Sequence, residues 1–75
     1  MSGRVPFKDL DTERILVSSL RVSDSVIFVR YGYVDVIRVV MEIVNFHRSV
    51  KVIFDDGREF YWERLSMVDI LVVKR

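Results

Sequence analysis

Residues 50–63, Val-Lys-Val-Ile-Phe-Asp-Asp-Gly-Arg-Glu-Phe-Tyr-Trp-Glu, leave the chain little alternative to a β-hairpin. Two runs of β-branched and aromatic residues flank an Asp-Asp-Gly, and aspartate followed by glycine is the strongest short-range signal for joining antiparallel strands. Two registers compete. A two-residue turn at Asp56-Gly57 sets Phe54 opposite Glu59 and Val50 opposite Glu63, mixing apolar and charged groups on one face. A three-residue loop Asp55-Asp56-Gly57, with Gly57 in a left-handed bulge position, sets Val52 opposite Phe60 and Val50 opposite Trp62. The second register is expected, because it gathers Val50, Val52, Phe54, Phe60 and Trp62 on one face. Lys51, Ile53, Glu59, Tyr61 and Glu63 then fall on the other, the alternation of a sheet with one wet side. Lys51 beside Tyr61 and the glutamates contributes roughly 0.2–1 kcal/mol per cross-strand pair.

A hairpin alone is marginal, and the rest of the chain must supply its neighbours. With 75 residues there is room for one domain, 1–75, near the lower size limit for a single core. The chain has no cysteine and no zinc-ligand spacing, so packing or assembly has to stabilise it. Hydrophobic residues make up 51% of it, with valine and isoleucine prominent. That composition favours strands. Net charge is +1, from 12 basic and 11 acidic residues. No basic stripe offers the electrostatic footprint of most nucleic-acid binders. Neither a signal peptide nor an apolar run of membrane-spanning length is visible. The expectation is a soluble, cytoplasmic protein.

Along the chain, residues 1–8 read as an extended arm, since Pro6 fixes its own φ and turns Val5 away from helix. Asp9 and Asp11 are candidate N-caps for a helix over 10–20 carrying Ile15, Leu16 and Leu20, although Ile15-Leu16-Val17 before Ser18-Ser19 equally suits a short strand and turn. Ser23-Asp24-Ser25 is turn chemistry, Val26–Arg30 the first clear strand, and Tyr31-Gly32-Tyr33 a turn. Residues 34–46 send two signals. Asp35, Arg38, Glu42 and Asn45 recur at close to helical spacing. The apolar residues are almost all β-branched and lose rotamer freedom in a helix, so a long strand is expected, bulged at Ile37-Arg38 or Val39-Val40. Phe46–Ser49 is a tight turn, Glu63–Met67 suits a single 3₁₀ turn, and Asp69–Val73 is the closing strand before Lys74-Arg75.

This order resembles the SH3-like small β-barrel group, in particular its Tudor-like and KOW-like members. The resemblance rests on Val22-Ser-Asp-Ser-Val26, on Val50–Phe54 with Asp55-Asp-Gly57, and on Glu63-Arg-Leu65 before the last strand; it covers about residues 21–73. Ser23 stands where many members have glycine. The resemblance implies a mainly β fold, a five-stranded antiparallel barrel with the 1–20 arm or helix packed on it. It also implies a ligand-binding end where the loops after the first and third strands meet. Tyr31, Tyr33, Asp55 and Asp56, with Arg58 and Tyr61 beside them, are the candidate partner-binding residues there, forming a cation-accepting mouth. The plainer reading is that the tyrosines cap the core and the aspartates build a turn.

No catalytic constellation is present: His47 lies alone at a turn, and Asp55 and Asp56 diverge in a loop. No catalytic, cofactor or metal residues are expected. The surplus of apolar side chains points elsewhere. In 34–46 and 70–73 they face both ways, so one barrel interior cannot bury them all, and the N-terminal segment, self-association or a partner protein must cover the remainder. Tyr61, Trp62 and Met67 are interface residues if exposed and ordinary core residues otherwise, with Trp62 expected in the core. The leading expectation is a non-enzymatic interaction module, such as a small subunit, adaptor or inhibitor. The alternative is a nucleic-acid-binding barrel using Arg30, Arg38, Arg48, Lys51 and Arg58 with the tyrosines.

Overall fold

In a computed structural model that describes residues 4–72, six strands follow in chain order: β1 (Thr12–Leu16), β2 (Ser25–Arg30), β3 (Tyr33–Asn45), β4 (Ser49–Phe54), β5 (Glu59–Glu63) and β6 (Met67–Leu71). All pairings are antiparallel, in the spatial order β1-β6-β2-β3-β4-β5. The protein is therefore mainly β, but as one open sheet of six strands with β1 and β5 at its edges, where a five-stranded barrel was expected.

The organising hairpin has the three-residue loop. Val50 pairs with Trp62 and Val52 with Phe60, and Gly57 holds φ at +86° while the Phe54 amide bonds the Arg58 carbonyl. Burial alternates along β4 as the apolar pattern requires, with Val50, Val52 and Phe54 at 1% exposure or less. Residues 33–45 are one long strand, as their β-branched content demands. Its two bulges flank the stretch where one was expected. Pairing passes from Val36 to Val34 against adjacent residues of β2, leaving Asp35 extra, and from Val40 to Glu42 against β4, leaving Met41 extra. An extra residue bends and twists its strand. The first half of β3 thus pairs with β2 and the second half with β4, so that one strand carries the ladder from one layer to the other.

The helix expected over 10–20 is absent. Thr12–Leu16 instead forms β1, paired residue for residue with β6, and Val17–Ser19 is a 3₁₀ turn. A helix here would satisfy only its own backbone, whereas the strand also covers the open edge of β6 and turns Ile15 onto the core. Asp9 lies in a second 3₁₀ turn, Phe7–Asp9, and caps no helix. The arm before it is extended at Pro6, which bridges to Tyr33; the Phe7 amide bonds the Gly32 carbonyl, and the Val34 amide bonds the Val5 carbonyl. The Glu63–Met67 connection is a turn closed from the Ser66 amide to the Glu63 carbonyl, with no 3₁₀ turn. The last strand starts at Met67, two residues earlier than expected. Residues 1–3 of the expected arm, and Val73, Lys74 and Arg75 at the other end, lie outside the described residues.

The core joins Val17, Leu20, Val26, Val40, Val50, Val52, Phe54 and Val68, with Phe28, Phe60 and Trp62 packed against them. Trp62 is half-buried, stacked on Phe60 with centroids 5.3 Å apart. Ile27 is buried on the opposite face of β2, outside this cluster, so the sheet is covered there as well.

Two substitutions should move stability in opposite directions. A Cβ at Gly57 meets no atom within 4 Å. Gly57→Ala therefore incurs only the cost of positive φ and should lose about 1 kcal/mol. Ser23 holds φ at +83° without being glycine. Ser23→Gly should accordingly gain roughly 0.5–1 kcal/mol. Urea denaturation of each variant reads both signs.

Candidate functional site

The residues singled out from sequence do not meet in one mouth. Tyr31 and Gly32 form a two-residue turn with φ of 54° and 79°, and Arg30 pairs with Tyr33 across it. This is the mirror-image turn geometry that matches strand twist. Tyr31 is 83% exposed, with the Arg30 guanidinium 5.5 Å from its ring centroid, while Tyr33 is held by the arm. The Asp55-Asp56-Gly57 loop meets β3 much further along. The Asp55 amide bonds the carbonyl of Val39, six residues beyond Tyr33. On an extended strand that separation is about 20 Å. The two loops point the same way but are staggered along β3 by that length.

Asp56 is already engaged. One carboxylate oxygen accepts the Arg58 amide at 3.0 Å, and the other accepts Arg38 Nε at 2.8 Å with Arg58 Nε at 3.6 Å. The backbone bond from Arg58 and the hydrogen bond from Arg38 hold its carboxyl below the usual aspartate range. The Arg38 side chain, 12% exposed, lies over Phe28 and Phe60 with its guanidinium carbon 4.9 Å and 5.7 Å from their centroids. Asp56, Arg38 and Arg58 thus clamp the loop onto the aromatic core. They are not a vacant acceptor for a cation. Asp55 is exposed beside them.

Tyr61 belongs to a different group. It projects outward from β5 opposite Lys51, and Phe46, from the turn after β3, stacks on it at 6.3 Å and 22°. Arg64 ties that turn to the next: its amide bonds the Arg48 carbonyl at 3.4 Å, and its side chain donates to the Phe46 carbonyl at 2.9 Å. Leu65 follows at the tip, 80% exposed, and then Met67, 50% exposed and paired with Leu16. Arg48, Glu63, Arg64 and Leu65 line a shallow concavity of about 500 Å³. Exposed large apolar side chains thus occur as a stacked pair, Phe46 and Tyr61, as Leu65 beside Arg48 and Arg64, and as the cross-strand pair Met67 and Leu16 where the chain enters β6.

Sequence reasoning named Tyr61 for the loop mouth, and Tyr61, Trp62 and Met67 as interface residues if exposed; Tyr61 and Met67 are exposed, Trp62 is half-buried, and Phe46, Arg64, Leu65 and Leu16 were not named for any surface. The available signal was Leu65, a leucine placed in a turn between Arg64 and Ser66 where nothing local can bury it. His47 is exposed in the neighbouring turn, as expected. Among the described residues no three histidine, aspartate or glutamate side chains converge as a metal site, and no helix is long and apolar enough to cross a membrane. Comparison with known proteins adds no relative: no family model matches the chain, and no curated protein and no solved structure matches it either.

Because the Asp56 carboxyl is depressed in the folded state, its stabilising contribution is complete above the ordinary aspartate range and is lost as pH falls through the lower folded value. Asp56→Asn should therefore melt below wild type at neutral pH, and the gap should close in acid, below about pH 4. Thermal melts across that range check it, and a gap independent of pH would mean that the charge of Asp56 contributes nothing.

Proposed function

We propose that this chain is a non-enzymatic protein-interaction module whose contact surface is the corner of Phe46, Tyr61, Leu65, Met67 and Leu16. The observation that carries this reading is Leu65, 80% exposed at the tip of a turn and lining one concavity with Arg48, Glu63 and Arg64. Soluble monomers scatter single apolar residues over their surface, whereas a clustered set with aromatic, methionine and arginine members has the composition of an interface centre. Arg48 and Arg64 at its margin favour a partner with carboxylates beside its own apolar residues. The mouth built from Tyr31, Tyr33, Asp55 and Asp56 loses support, because its halves are staggered and Asp56 is occupied. The strand order β6-β2-β3-β4-β5 supports the SH3-like resemblance, with β1 as an added sixth strand.

The second reading, nucleic-acid binding, draws on the same corner. The exposed Phe46 and Tyr61 rings beside Lys51, Arg48 and Arg64 could stack bases and neutralise phosphate, against the opposing charges of Glu59 and Glu63.

Affinity capture from a lysate with immobilised wild type and Leu65→Glu, with and without nuclease and at two salt concentrations, separates the readings. The protein-interaction reading expects a partner that survives nuclease and salt and is lost with Leu65→Glu. Capture that nuclease or salt abolishes would support the second reading. Identical capture by both proteins would remove the corner as the site.

A further inference from the structure

We propose that copies of this chain join head to tail, the free edge of β5 in one copy pairing antiparallel with the free edge of β1 in the next. This goes beyond the interaction reading above, since it concerns the open backbone edges of the sheet; Tyr61 and Leu16 belong to both surfaces, and Leu65 to the first alone.

The ladder itself supplies the first argument. Its six strands alternate in direction from β1 to β5, an even number, so a second copy in the same orientation brings its β1 alongside β5 with opposite polarity. No other arrangement of edges continues the sheet without a symmetry axis between the copies. The backbone is in phase as well. In the β4–β5 hairpin the Phe54 amide bonds the Arg58 carbonyl, so by alternation Phe60 and Trp62 bond β4, while Glu59, Tyr61 and Glu63 direct their amides and carbonyls to the open edge. Next to β6, the bonds from the Val17 amide to Ser66 and from the Val72 amide to Asp11 place Thr12, Arg14 and Leu16 at the open edge in the same way. These two triplets also share the outer face of the sheet, since Phe60, Trp62 and Ile15 face the core.

Side-chain chemistry then selects among pairings. Full overlap of β5 with a second β5 sets Glu59 opposite Glu63, and full overlap of β1 with a second β1 sets Arg14 opposite Arg14; like charges directly opposed destabilise a ladder. Full overlap of β5 with β1 removes both conflicts. Tyr61 then faces Arg14 of the second copy, with Glu59 and Glu63 diagonal to that arginine and within reach of its long side chain. Glu63 faces Thr12, Glu59 faces Leu16, and on the inner side Phe60 faces Ile15. Among the described residues Arg14 bonds Asp69 through Nε, at 3.3 Å, and its side chain is 66% exposed, which leaves its terminal amino groups directed to the edge. Such a heterologous contact leaves a free β1 on one end and a free β5 on the other. It closes into a ring if the rotation between copies permits and otherwise extends as a filament.

Solution mass by sedimentation and light scattering, from about 10 μM to about 1 mM at low salt, tests this directly. Wild type should grow past a dimer as concentration rises. Arg14→Glu and Glu63→Lys should each weaken association by about tenfold or more, and an equimolar mixture of the two should recover it, because each altered edge then meets its complement. Tyr61→Pro, which removes an edge amide that β4 does not use, should give a monomer with an unchanged circular dichroism spectrum. Leu65→Glu should associate as wild type does, which keeps this result separate from that of the corner. A wild type that stays monomeric throughout, association indifferent to all three edge substitutions, or association lost with Leu65→Glu would each overturn the proposal.

Discussion

The crossing of β3 from one layer to the other at Val40 and Met41 is the constraint on which the remaining structure depends. Val40 is fully buried, and both its backbone groups are held by the turn before β2: its amide bonds the Asp24 carbonyl, and its carbonyl accepts the Ser23 amide. The adjoining Val39 carbonyl accepts the Asp55 amide, and Val40 itself pairs with Phe54. Met41, with no residue opposite it, lets the strand bend immediately afterwards. A short chain gains a core from this device because the two halves of one sheet can then face each other. Phe28, on β2, meets Phe54, Phe60 and Trp62, on β4 and β5, with centroids 5.2–6.4 Å apart. Edge-to-face and offset contacts in this range add to the area that the rings bury.

The clamp at Asp56 follows from the same bend. Arg38 belongs to the first half of β3 and Asp56 to the loop of the second layer, so their bond spans the fold while the guanidinium lies over rings from both sides. What the bend cannot do is enclose everything. A sheet of this size has too little interior for its apolar residues, and the excess is exposed at scattered points, Val22, Met41, Tyr61, Leu65 and Met67 among them.

The sequence reveals the parts of this structure that are local. The β4–β5 register was legible because alternation and the Asp-Asp-Gly loop agree. The strand at 33–45 was legible from its β-branched residues, and the competing helical spacing of Asp35, Arg38, Glu42 and Asn45 marks no common face: Arg38 turns onto Phe28 and Phe60, whereas Asp35, Glu42 and Asn45 are exposed. The positive φ at Ser23 likewise accounts for a position where glycine was the expected residue. What sequence could not reveal is non-local. Thr12–Leu16 becomes a strand only because β6, from the far end of the chain, offers an edge. The staggering of the Tyr31 and Asp55 loops depends on the thirteen-residue length of β3, which no motif announces. The corner could not be assembled from sequence either, since Phe46 and Tyr61 are brought together only by the pairing of β3, β4 and β5.

Amide hydrogen exchange read residue by residue, at a concentration low enough for single copies, tests the central claim that the β3 crossing fixes the fold. The Val40 amide should be among the slowest to exchange, opening only with global unfolding, together with those of Val52 and Phe54. Thr12, Arg14, Glu59 and Tyr61 at the two edges should exchange orders of magnitude faster. Exchange at Val40 as fast as at those edges would mean that the two halves of the sheet move independently and that the bend does not hold them together.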